Sequence, residues 1–160
     1  MKSDILQRNI RHALSGKGAH VEVRAVFDGL HWKLARARPQ GIAHSAFQLL
    51  GHMSYWQDWA VRWLDGGDPP LPTHASESWP ADEGPSTPTD WKRAVARFRR
   101  GLAELERWAQ DDRPFTKFGT KTRLEMLHTI GSHNSYHAGQ VALLRQMLDS
   151  WPPPSGGLTW

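Results

Sequence analysis

"SAFQLLGHMSYWQDWAVRWLDGG", residues 45–67, brings Ser45, Leu49, His52, Trp56, Trp59 and Trp63 to one side of a helix and then stops at Gly66-Gly67. Steps of three and four sustained over this length have no counterpart in a strand, so the stretch reads as a long amphipathic helix. Beyond it the pattern stops. Residues 65–90, "DGGDPPLPTHASESWPADEGPSTPTD", hold six of the eleven prolines and show no period, so they cannot extend the helix. A connection of that length within a compact domain tends to be a lid or a binding loop.

The helical pattern recurs on both sides. Upstream, "SDILQRNIRHALSG" offers Ser3 as a cap, Ile5, Leu6, Ile10, Ala13 and Leu14 at helical spacing, and Gly16 as a stop. Between these two helices Val21, Val23, Ala25 and Phe27 alternate as a strand would. No partner strand is visible, so we read a short helix and an irregular connection. Downstream, "TPTDWKRAVARFRRGLAELERWAQDD" opens with a capping signal and carries a third helix to about Asp111, ahead of a break at Arg113-Pro114. A fourth begins near Thr120 to Thr122 and runs to about Leu148. The sum is an all-α four-helix bundle with a long crossover between helices two and three. It forms a single domain over 1–150, followed by a proline- and tryptophan-containing tail over 151–160.

Composition narrows the chemistry. The chain has 160 residues and no cysteine, which excludes disulfides, thiolate metal sites and a cysteine nucleophile. No apolar run approaches the roughly 20 residues needed to cross a bilayer, and "MKSDILQRNIRHAL" lacks the apolar block of a signal peptide. A soluble, cytoplasmic protein is expected, with no membrane partner. The formal charge is +4, and its densest cluster is "WKRAVARFRR" at 91–100. Lys92, Arg93, Arg97, Arg99 and Arg100 read as the wet face of a helix whose dry face is Ala94, Val95 and Phe98, so nucleic acid is not the expected partner. Trp56, Trp59 and Trp63 are core residues that could also wall a pocket. Trp79 in the crossover, and Trp151 and Trp160 in the tail, could cover a site or join two copies as a homodimer.

Nine histidines carry more information than the charge. In "HNSYHAGQVALLRQML", residues 133–148, Ile130, Val141, Leu144 and Leu148 fall within about 40° of His137 at about 100° per residue, so His137 points inward. His133 stands one turn earlier on that face, at the i, i+4 spacing by which two histidines can share a metal ion. Buried, hydrogen-bonded rings would account for the pair equally well. A third ligand should come from the inward face of another helix. His52 meets that condition, whereas His44 lies about 80° off the stripe and His128 about 180° from His137. His12, His20, His31 and His74 sit near helix ends or in loops and are expected to be solvated.

"HNSYHAGQVALLRQML" resembles the H-x3-H-x-G-Q motif of the DinB-like superfamily, and "HSAFQLLGHMSYWQDW" resembles that family's second-helix motif. A looser likeness runs from "GKGAH" through "RPQGIAH" and the tryptophan-containing crossover. The resemblance implies a four-helix bundle in which His52, His133 and His137 hold a divalent ion such as zinc or nickel. It also implies transfer of a low-molecular-weight thiol, such as bacillithiol, mycothiol or glutathione, to an electrophile in detoxification or stress. A non-catalytic metal-binding stress protein of the same fold is the alternative. Trp56, Asn134 and Gln140 are the candidates for a substrate pocket or for orienting the imidazoles. Ala138 stands where relatives often carry a larger or basic side chain. No catalytic acid or base is assigned, since Glu125 and Asp58 fall outside the ligand stripes.

Overall fold

Capping residues set where each helix begins. The computed structural model describes residues 2–111 and 116–157, with helices α1 (Lys2–Ser15), α2 (Trp32–Ala35), α3 (Ala46–Leu64), α4 (Pro88–Trp108) and α5 (Arg123–Met147). Ser45 caps α3 reciprocally: its Oγ accepts from Gln48 N, and Gln48 Oε1 accepts from Ser45 N, both at 3.1 Å. Thr122 and Glu125 form the same device at α5, and Thr87 with Pro88 opens α4. Gly16, at φ +77°, and Gly66, at φ +87°, end α1 and α3 in a backbone conformation that side chains disfavour.

The described chain is all-α apart from a two-residue antiparallel pair, β1 (Lys117–Phe118) with β2 (Lys121–Thr122), just before α5. That pair was not expected from the sequence, because two residues are too few to show alternation. Ser3 lies inside α1 and not before it, and α4 ends at Trp108 instead of Asp111. The expected break at Arg113-Pro114 and the terminal Trp160 lie outside the described residues.

α1 packs on α5, and α3 packs on both α4 and α5. The first contact is close: a Cβ on Gly131 would stand 3.0 Å from the Ala13 carbonyl oxygen. On α3 the fully enclosed positions are Ala46, Leu50, Met53, Gln57, Ala60 and Leu64. The stripe expected from the sequence is therefore rotated. Trp56, Trp59 and Trp63 are half-buried at its flank, where Trp59 can donate its indole N–H to Pro70 O at 3.0 Å. Ser45 is a cap and not a stripe member. The alternating stretch is an irregular loop that inserts Val23, Val26, Phe27 and Leu30 into the core. There Phe27 meets Trp91 and Phe98 edge-on, at 6.1 and 5.3 Å.

Arg145, 2% exposed, ties this loop to the chain's end. Its Nη1 donates to Val26 O at 2.7 Å and Asp28 O at 2.9 Å, while Nε and Nη2 donate to Ser150 O at 2.9 and 2.6 Å. Three arginines along α4 are paired within the chain, Arg97 with Asp58 at 2.5 Å, Arg99 with Asp28, and Arg107 with Glu104 at 2.7 Å. Among the described residues no helix is long and apolar enough to cross a membrane.

Candidate metal centre

α3 contributes His52 and α5 contributes His133 and His137. His133 Nε2 lies 3.2 Å from His52 Nε2 and 3.1 Å from His137 Nε2. The ring centroids are 4.5 to 5.1 Å apart. Tetrahedral coordination with bonds of about 2.05 Å separates two donor nitrogens by roughly 3.3 Å, close to what these two pairs show.

Hydrogen bonds on the far side of two rings decide which nitrogen faces inward. His52 Nδ1 stands 3.2 Å from Ser78 O, a carbonyl that can only accept, so the proton is on Nδ1. His137 Nδ1 donates to Gln140 Oε1 at 2.7 Å. Both rings therefore turn a bare Nε2 lone pair toward His133. A neutral His133 carries one N–H: on Nε2 it must be shared between two facing lone pairs, and on Nδ1 it leaves three lone pairs facing one another, with that Nδ1 buried and without a partner. A cation between the three nitrogens accepts all three facing lone pairs, so the triad could hold a metal ion.

The electrostatics agree. Burial, with the charge of His137, pushes His52 down to about 4 against a small upward pull from the Ser78 carbonyl. Burial pushes His133 down to about 4 as well, helped by His137 and His52 and opposed by Asn134. Burial lowers His137, with Gln140 pulling the other way. The rings are uncharged at neutral pH, each keeping one N–H and offering its other nitrogen, as ligation requires. Between the ordinary value of 6.5 and about 4 the unfolded chain binds more protons than the folded one. Stability is thus complete above pH 6.5 and lost as pH falls through that window. Denaturant titrations of metal-free protein at stepped pH should show the decline beginning below 6.5, and His52→Ala should flatten it.

Around the triad, Trp56 stands edge-on to His52 at 6.4 Å. Exposed Tyr136 stands edge-on to His137 at 5.1 Å. Asn134 is fully buried next to His133, and neither of its amide atoms has a hydrogen-bond partner of acceptable geometry. Trp79 stacks on His52 at 3.9 Å and 7°, and its other face stacks on His44 at 3.7 Å and 12°.

Of the nine histidines, then, the fold gathers the three expected from the resemblance and keeps His44 behind Trp79. His20 is not solvated as expected: it bridges Val21 O at 2.8 Å and Ser135 Oγ at 2.9 Å. His12, His31, His74 and His128 are exposed. Glu125 caps α5 and Asp58 pairs with Arg97, each engaged elsewhere. Sequence reasoning missed Tyr136 and the grip of Ser78 on His52. Tyr136 sits in the H-x3-H spacer and could have been found there. A main-chain oxygen leaves no trace in the letters.

A model of the DinB superfamily matches residues 18–141, a span that contains His52, His133 and His137. The chain belongs to the DinB superfamily. No curated protein and no solved structure matches it. The DinB match runs from Gly18 to Val141, so all of α1 and the tail held by Arg145 lie outside it.

Proposed function

We propose that His52, His133 and His137 hold a divalent cation, zinc or nickel, and that the protein uses it to transfer a low-molecular-weight thiol to an electrophile in detoxification or stress resistance. The observation that carries this reading is the meeting of three neutral imidazoles whose Nε2 atoms lie 3.1 and 3.2 Å apart in consecutive pairs. A divalent ion held by three neutral nitrogens keeps its full charge and an open position, and so lowers the pKa of a thiol or water brought to it. With no cysteine in the chain, the sulfur comes from a free thiol. Gln140, bonded to His137 Nδ1, would fix that ring, and Asn134, buried beside His133, would orient the other. Trp56 and Tyr136 stand edge-on to His52 and His137, where their rings would exclude water from the reactants. The four long helices α1, α3, α4 and α5 form the bundle that holds these parts.

The alternative, a metal-binding stress protein without turnover, draws support from the enclosure of His52 and His137, which are 8% and 6% exposed. Protein purified without a histidine tag, assayed for bound metal and then offered several small thiols with a generic electrophile, separates the two. Catalysis requires product above background that disappears alike in His52→Ala, His133→Ala and His137→Ala. Background rates with metal confirmed in the protein favour the second reading.

The homodimer is also a proposal. From His128 to Met147 the exposed positions of α5 carry no Asp, Glu, Lys or Arg, and Tyr136, Leu143 and Met147 share one line along it. Such a face suits a second copy packed about a two-fold axis. Light scattering reads the mass, and a monomer that stays monomeric at high concentration ends that part of the proposal.

A further inference from the structure

The crossover between α3 and α4 does not merely pass over the candidate centre. Three side chains spaced along α3 reach its main-chain oxygens in order: Ser45 Oγ donates to Glu83 O at 2.5 Å, Gln48 Nε2 to Pro80 O at 3.4 Å, and His52 Nδ1 to Ser78 O at 3.2 Å. Between them Gly51 lets Pro80 lie directly on the helix, since a Cβ there would overlap Pro80 Cγ and stand 3.0 Å from Cδ. The 3-10 turn Ala75–Ser78 supports the strap from the other end, with Ser78 Oγ donating to Ala75 O at 2.7 Å.

Trp79 is the next residue along the strap. One face of its indole covers the His52 ring at 3.9 Å, its far face is backed by His44 at 3.7 Å, and it stands edge-on to His137 at 5.9 Å and 87°. The Ser78 carbonyl fixes which His52 nitrogen carries the proton. The stack fixes the plane of the ring. His44, whose Nδ1 is enclosed without a partner, contributes its face and ligates nothing in the triad.

We propose that residues 78–83 of the crossover are a built-in part of the metal centre, with Trp79 the positioning residue that holds the His52 ring in its ligating orientation. This rests on the metal reading above, but its first test needs no metal. Nitrogen NMR of the histidine rings in the metal-free protein should show His52 as a single Nδ1–H tautomer. In Trp79→Leu it should become a mixture of tautomers, while Trp79→Phe, which restores a stacking face, should return it to the single form. Gly51→Ala keeps the indole yet pushes Pro80 away, and should loosen His52 in the same way if the strap does the positioning. The second test is Zn²⁺ affinity by chelator competition. Trp79→Leu and Gly51→Ala should each weaken it about 10- to 100-fold, the usual effect of losing an outer-shell partner, with Trp79→Phe within about 3-fold of wild type. Circular dichroism confirms that each variant is folded. An unchanged His52 tautomer in both Trp79→Leu and Gly51→Ala, with Zn²⁺ affinity within about 3-fold of wild type, overturns the proposal. Wild-type protein that binds no Zn²⁺ overturns the metal reading instead, and the NMR result then still decides what the strap does to His52.

Discussion

Replacing His133 with alanine is expected to leave the protein unable to retain metal. His133 is the middle ring, the one whose Nε2 lies within 3.2 Å of both partners. Its loss leaves two donors on different helices, too few for the closed part of a tetrahedral site. Metal affinity should fall by more than about 100-fold, beyond the 10- to 100-fold expected for an outer-shell partner. A linked readout is thermal: ligand at about 1,000 times its Kd adds roughly 4 kcal/mol to the stability of the folded state. Saturating Zn²⁺ should therefore raise the melting temperature of wild type clearly and leave that of His133→Ala where it was. His128→Ala, an exposed ring on the same helix, is the control and should respond like wild type. Equal metal content in wild type and His133→Ala would remove the triad as the site.

The largest loss of stability is expected far from the centre, at Arg145. Its guanidinium satisfies three main-chain oxygens, those of Val26, Asp28 and Ser150, inside a packed region, and its Cζ lies over the Trp151 ring, 5.6 Å from the centroid. Truncation to alanine opens a cavity and strips buried carbonyls of their donors, and each effect alone destabilises. Together they should cost roughly 3 to 5 kcal/mol in denaturant unfolding. Arg145→Lys should recover only part of this, because a single ammonium cannot reproduce the planar fork that serves oxygens on two sides. A loss under about 1 kcal/mol for Arg145→Ala would mean that the 26–28 loop and the tail hold their places without it.

The helices and the triad were legible for the same reason: both depend on spacing along one segment. Ile130, His137, Val141 and Leu144 declare an inward line whatever surrounds them, and His133 falls one turn from His137 by counting alone. Periodicity put His52 on the inward face of its own helix, and its meeting with that pair came from the likeness of two motifs to one family. Other features were illegible because they depend on what lies opposite. Gln57 is a polar residue at a position with no exposure at all, and the tryptophans beside it are large apolar residues at the boundary, so the stripe read from side-chain type was turned away from the true core. The alternation of Val21, Val23, Ala25 and Phe27 imitates a strand, although those residues serve a loop that faces the core.

The way α3 grasps the crossover bears on how such a protein can change over generations. Ser45, Gln48 and His52 all reach for peptide oxygens, which every amino acid supplies. The side chains at 78, 80 and 83 are thus not what the grip depends on, apart from the fit of Pro80 over Gly51. Apart from Trp79, whose indole stacks on His52, substitutions along that segment can accumulate while the number of residues between the anchor points must hold. Relatives with dissimilar letters here but matching loop length can share one centre, and insertions between 78 and 83 should be rarer than replacements.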